Sequence, residues 1–328
     1  MATSPRKLLT DIGMVAGLLG FISLASDGVS YATSPPTGFD LDSSLGKEVS
    51  VCQKGPGGLP GGRVWFFKQW HLAPSVNTSD IEKSKGLPQY ANQSAIYNQL
   101  NTWISLGKVK TVIAEGCGGE KTPQKTTEMT QKTDAHFNGW DMASLKSHLV
   151  PAKTYDKILT SIPLKLEAKY GDKIHTLCGD DEALLKKNAL AFSDARGELG
   201  YLGRLEHYKN DPERAKLYLD GVIELYHLPA GTTSAQAVSR LNTELEKSVN
   251  EAEQWIQKRN EHLVDVISAA PRDSDIAVVF GGAHASGVEA LLEKKGMNCT
   301  IVEPVGYQDD ETQLLQKLKE LLAQRQGK

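Results

Sequence analysis

Basic charge is not in excess in this chain. Its 328 residues carry 37 Lys and Arg against 40 Asp and Glu, a formal net charge of −3. That balance lacks the basic footprint of a nucleic-acid binder and the cationic patch of a membrane-surface protein. Long apolar runs are missing too. Beyond the N-terminal stretch, no segment approaches the ~20 apolar residues that span a bilayer. Cysteine is scarce, with Cys52, Cys117, Cys178 and Cys299 the full set. None forms a CxxC pair, which excludes the common zinc-ribbon spacings. There is no Walker A loop, no dinucleotide-binding glycine turn, no Gly-x-Ser-x-Gly elbow and no His-Glu-x-x-His helix. Internal repeats are absent as well. What is present, 40% hydrophobic and 23% charged residues, suits a globular protein with a substantial core.

The N-terminus reads as a secretory signal. Arg6 and Lys7 precede an apolar stretch from Gly13 to Ala25, and Ser30-Tyr31-Ala32 offers small residues at a cleavage site. The expected organisation is a signal peptide over 1–32 and a Gly/Pro/Ser-rich leader over 33–62. A single α/β domain over 63–328 follows, with no membrane span after signal cleavage. The protein is then exported, periplasmic or secreted. That setting permits disulfides, and four cysteines allow three pairings among which the sequence does not choose.

Hydrophobic periodicity places strands at 64–70, 109–114, 173–178, 275–280 and 299–303. Helical spacing covers 91–106, 155–170, 182–205, 212–226, 234–269, 288–295 and 312–325. Asp211 followed by Pro212 marks a helix start. Strands alternating with helices predict a mixed, largely parallel sheet flanked by helices. The run of helices over 182–269 is too large for a simple crossover. It is expected to be an insertion covering one end of the sheet.

In open α/β sheets, ligands sit beyond the carboxyl ends of the strands. Four polar residues stand at such ends: His71, Glu115, Asp180 and His284. His284 is the most telling, because Gly281-Gly-Ala-His-Ala-Ser-Gly287 turns the chain tightly from strand to helix. At a helix N-terminus the dipole favours neutral imidazole, the form that ligates a metal or acts as a base. Glu115 follows Val-Ile-Ala, and a carboxylate in that setting needs a cation, a metal or hydrogen-bond donors. His71, Glu115 and His284 together suit a divalent metal such as Mn, Co or Zn with open positions for water. Equally, Glu115 activates water directly while a histidine orients the substrate. Arg259 lies on the apolar stripe of the 234–269 helix, three residues after Ile256, with Asn260 beside it. Such an Arg must meet an acid or an anion. Glu115, Asp180 and a developing oxyanion are the candidates.

At these residues the chain resembles the erythromycin-esterase/ChaN-like superfamily, which also holds the TraB/PrgY proteins and the Tiki metalloproteases. The resemblance rests on Gln69-Trp-His71, Ile113-Ala-Glu115-Gly, Lys258-Arg-Asn260 and Gly281-Gly-Ala-His284, in that order. Gly179-Asp180 matches the superfamily's acidic step after the third strand. In the first motif, Lys68 stands where the superfamily carries glycine. The resemblance implies a hydrolase acting on a peptide, as in Tiki-like members, or on a small-molecule ester, as in the esterases. It also implies an alternative, a periplasmic haem-binding protein without hydrolytic activity, as in ChaN-like members.

Overall fold

The computed structural model describes residues 40–52, 62–70, 88–118, 162–308 and 310–326, apart from some side chains within them, Cys117 among these. The expected signal peptide and His71 lie outside the described residues. Two compact units partition the chain. Pro35–Lys187 and Gln254–Leu315 build the sheet unit. Asn188–Glu253 and Gln316–Lys328 belong to a helical unit.

The sheet has six strands in the order β1-β6-β2-β5-β3-β4: β1 (Gly46–Cys52), β2 (Val64–Gln69), β3 (Val109–Gly118), β4 (His175–Asp180), β5 (Asp275–Gly281) and β6 (Cys299–Pro304). All neighbours pair in parallel except β1, which runs antiparallel to β6. The fold is therefore α/β with a mixed, largely parallel sheet, as the strand–helix alternation predicts. The four inner strands are largely apolar on both faces, the pattern of a parallel sheet covered on each side. On one face, Phe66, Ile113, Val278 and Phe280 pack under α5 (Ser234–Ala269) and α6 (Ala285–Lys294). On the other, Trp65, Phe67, Val112 and Val279 pack under α1 (Pro88–Ser105) and α2 (Ile162–Tyr170).

One expectation needs correction. Residues 33–62 were expected to be a leader outside the domain, yet 46–52 form edge strand β1. Its sequence, Gly-Lys-Glu-Val-Ser-Val-Cys, mixes polar and apolar residues on the exposed positions, because an edge strand exposes most of its surface. Val49 and Val51 even face solvent. Pairing with β6 and a disulfide from Cys52 to Cys299 hold it in place. The helical insertion expected over 182–269 overlaps a separate compact unit that holds Asn188–Glu253. A smaller shift affects the third expected strand, which ends at Asp180 rather than 178.

The helical unit holds most of α3 (Glu182–His207), α4 (Pro212–Leu225) and the first half of α5. Asp211 caps α4 by accepting from the Arg214 N–H at 3.1 Å, with Pro212 in the first turn. Inside this unit Glu198 is buried, with one carboxylate oxygen accepting from the Ser248 and Tyr226 hydroxyls. Among the described residues, no helix is long and apolar enough to cross a membrane.

Two stability predictions follow from these packings. The Cys52–Cys299 bond closes a long loop and anchors the edge strand. Reduction, or Cys52→Ala, is expected to cost about 2–4 kcal/mol in urea unfolding, with equal curves for wild type and variant under reductant. Burial pushes the Glu198 carboxyl above its ordinary value of 4.5, partly offset by the Ser248 and Tyr226 hydrogen bonds. A raised folded-state value means its stabilising contribution is full below 4.5 and is lost as pH rises through the folded value. Glu198→Gln is therefore expected to raise the melting temperature at pH 7 and to change it little at pH 4. An equal shift at both pH values would show that charge burial is not the cause.

Candidate functional site

Glu115, Asp180, Arg259, Asn260 and His284 converge at the carboxyl ends of β3, β4 and β5. Asp180 closes β4 and is fully buried. It accepts from Arg259 twice, Nε to Oδ1 at 2.7 Å and Nη2 to Oδ2 at 3.1 Å. The Gly116 N–H donates to the same Oδ2 at 2.9 Å, tying the end of β3 to β4. Arg259 Nη2 also donates to Glu115 Oε1 at 2.8 Å. The second oxygen, Glu115 Oε2, accepts a short hydrogen bond from the Gly281 N–H at the end of β5. One guanidinium thus binds two carboxylates, and those carboxylates clasp three neighbouring strands.

Burial and charge pull these groups in opposite directions. Loss of hydration pushes the Asp180 carboxyl upward, while Arg259 works to lower it. Burial alone would depress the Arg259 guanidinium, but the charges of Glu115 and Asp180 outweigh it and hold its pKa above the ordinary arginine value. Arg259 therefore stays charged, which is the state the pair requires.

His284 is buried at the turn after β5, the last residue of a 3-10 turn (Gly282–His284) and the residue before α6. Its Nδ1 lies 2.6 Å from Asn260 Oδ1. That oxygen only accepts, so Nδ1 carries the proton, and in the neutral ring Nε2 then holds a lone pair. Nε2 faces Glu115 Oε1 at 3.8 Å. This is too long for a direct hydrogen bond and is a separation that one water about 2.8 Å from each atom would bridge. The edge of the ring also packs on Phe280, with centroids 5.1 Å apart.

Helix α5 delivers both Arg259 and Asn260, and two glycines let it approach. A Cβ at Gly179 would sit 2.9 Å from Leu263 Cδ1 and 2.7 Å from Phe280. At Gly287, in the first turn of α6, it would sit 2.2 Å from Asn260 Nδ2. Neither position has room for a side chain while α5 keeps its place.

Of the expected site residues, the structure joins Glu115, Asp180, Arg259, Asn260 and His284, while His71 lies outside the described residues. Of the partners proposed for Arg259, it meets both acids. Among the described residues, no group of three His, Cys, Asp or Glu side chains is arranged to hold a metal ion. The sequence reading missed the backbone donors at Gly116 and Gly281, since an N–H leaves no trace in residue type. It also missed the contact from Asn260 to His284, although Asn260 beside a buried Arg was a usable signal. Comparison with protein-family models, curated proteins and solved structures finds no match.

The ion cluster yields a test. Arg259→Met leaves two carboxylates without their cation and is expected to destabilise the sheet unit by about 3–5 kcal/mol. Arg259→Lys should recover little of this, because a single ammonium cannot reproduce the Nε and Nη2 fork. Chemical denaturation checks both; full recovery with lysine would mean that charge alone, not the fork, holds the cluster.

Proposed function

We propose that the protein is an exported hydrolase of the erythromycin-esterase/ChaN-like type, acting on a carboxylic ester or amide. The observation that carries this reading is the pairing of His284 Nε2 and Glu115 Oε1 at 3.8 Å beyond the ends of parallel strands. A buried imidazole fixed in one tautomer next to a charged carboxylate is equipped to activate water.

The Glu115 carboxylate accepts from Arg259 and the Gly281 N–H. Both contacts engage its oxygens. The proton acceptor in this reading is Nε2 of His284. In this mechanism a water lodged against both groups attacks the substrate carbonyl and gives its proton to Nε2. The Glu115 charge offsets the imidazolium that forms. The tetrahedral intermediate then expels the alcohol or amine, which leaves with the proton from Nε2. Asn260 keeps the ring oriented by accepting from Nδ1 throughout.

A divalent metal at this pair is the second route the resemblance implies. The described residues supply two of the three expected donors, and the Arg259 guanidinium on Oε1 opposes a cation at that oxygen. No step is therefore routed through a metal.

Activity against 4-nitrophenyl esters and a chromogenic peptide tests the reading. Glu115→Gln and His284→Asn should each lower kcat/KM by about 100-fold or more. Both variants should remain folded by circular dichroism, and activity should survive chelation. Unchanged turnover in either variant excludes the pair as the water-activating groups. Loss on chelation, with metal found in the purified protein, would favour the metal route. A Soret band on adding haem, without turnover of any substrate, would favour the ligand-binding alternative.

A further inference from the structure

The helices that follow β2 and β5 pack on opposite faces of the sheet. α1 covers the face bearing Trp65 and Phe67, whereas α6 covers the face bearing Phe66 and Phe280. Adjacent parallel strands that send their helices to opposite faces open a crevice between their carboxyl ends, the usual ligand position in such sheets. β2 and β5 are paired up to Lys68↔Phe280 and Gln69↔Gly281. His284 follows β5 on one side of this crevice. On the other side stands Lys68.

Lys68 shares a rung of the sheet with the site. Lys68 pairs with Phe280. Ala114 pairs with Val279 and Phe67 with Val302, so the next residues, Glu115 and Glu303, continue the same rung. Its order across the strands is Glu303, Lys68, Phe280, Glu115. Alternation puts these side chains on the face where Arg259 lies over the Phe280 ring at 5.7 Å. With strands about 4.8 Å apart, Lys68 and Glu115 stand about 10 Å apart at the backbone, with Phe280 between them.

Among the described residues, the charge around Lys68 is not cancelled. Glu303 accepts from Lys47 at 2.9 Å and from Lys68 at the longer 3.3 Å. Two ammonium groups thus share one carboxylate, and together they hold that carboxyl below its ordinary range against the effect of burial. One positive charge is left over. The Lys68 side chain is 18% exposed, open enough to take a second partner. Its Nζ also lies 5.2 Å from the centroid of Tyr307. That tyrosine closes on Gly282, where a Cβ would fall 1.7 Å from the hydroxyl oxygen. Lys68 is thereby linked to the turn that carries His284.

We infer that Lys68 is a substrate-binding residue, selecting esters or amides whose acyl chain ends in a carboxylate. The inference rests on the hydrolase reading above and adds the substrate class. The water-activating pair works on the carbonyl at the β3–β5 side, and the surplus charge at Lys68 holds the distal carboxylate at the β2 side.

The test compares 4-nitrophenyl glutarate, whose acyl chain carries a free carboxylate, with the ester of glutaramic acid, its neutral isostere. The ratio of their kcat/KM values should favour the anionic ester in wild type. It should fall about tenfold in Lys68→Gln, the loss of one charge-assisted contact, mainly through KM. Lys68→Arg should restore most of it. Calorimetric binding of glutarate and glutaramide gives a readout that needs no turnover. Tighter binding of glutarate that depends on Lys68 supports the assignment even if no ester is cleaved, in which case only the hydrolase reading fails. Turnover with no charge preference, or the same preference in Lys68→Gln, overturns the assignment and leaves that reading standing. Loss of binding in Lys68→Gln accompanied by a collapsed melting curve, with Lys68→Arg equally silent towards glutarate, would also overturn it.

Discussion

A single buried guanidinium sets the geometry of this crevice. Arg259 reaches Asp180 through two nitrogens and Glu115 through one of them, in a region from which water is almost excluded. Isolated ions there would cost several kcal/mol each, so each carboxylate is held wherever the guanidinium can reach it. Because Asp180 also takes the Gly116 N–H and Glu115 the Gly281 N–H, the constraint passes into the backbone. The ends of β3, β4 and β5 are fixed relative to one another by side-chain charge as well as by the sheet ladder. Two carboxylates on one guanidinium leave one negative charge, and it lies beside the His284 ring. A proton arriving at Nε2 would meet that charge at short range, which lets the same cluster serve the proposed water activation as well as the fold.

The second control on the site is the approach of α5. Arg259 and Asn260 are adjacent on a helix and so point about 100° apart. One turns to the carboxylates and its neighbour to His284. A helix held farther from the sheet would lose both contacts together. Gly179 and Gly287 remove the side chains that would hold it away. Leu263, one turn after Arg259, fills the space above Gly179 and packs into the core with Ile113 and Phe280. Hydrophobic packing at Leu263 thus secures the depth at which Arg259 and Asn260 operate.

The elements with strong periodicity were legible in the sequence. The long helix, the five parallel strands and the cap at Asp211 all follow from spacing and residue type, and Arg259 was identifiable because a charge interrupts an apolar stripe. Strand β1 was not legible, since an edge strand exposing Val49 and Val51 carries no hydrophobic pattern to read. The meeting of Glu115, Asp180 and His284 was suggested by their shared place at strand ends. Their order in space was not, because β5 enters the sheet between β2 and β3 after some 160 intervening residues. The division into two units was hidden for a related reason: α5 is continuous in pattern although its halves belong to different units.

The placement of Phe280 explains how opposite charges coexist on one rung. If lysine stood directly beside Glu115, the two would pair, and the carboxylate would have a mobile ammonium where Arg259 now sits. An ammonium on a flexible stem cannot reproduce the planar fork that engages Asp180 at the same time. The aromatic ring separates the two charge systems by the width of a strand on either side. It gives the Arg259 guanidinium a flat surface to lie against and the His284 ring an edge to pack on. Lys68 is left to Glu303, which it shares with Lys47. The crevice therefore has one lip with a net negative charge and a base, and another with a net positive charge. The buried Phe280 ring stands between them. That polarity comes from the order of strands in the sheet, which brings β2 and β5 together, and no single motif encodes it.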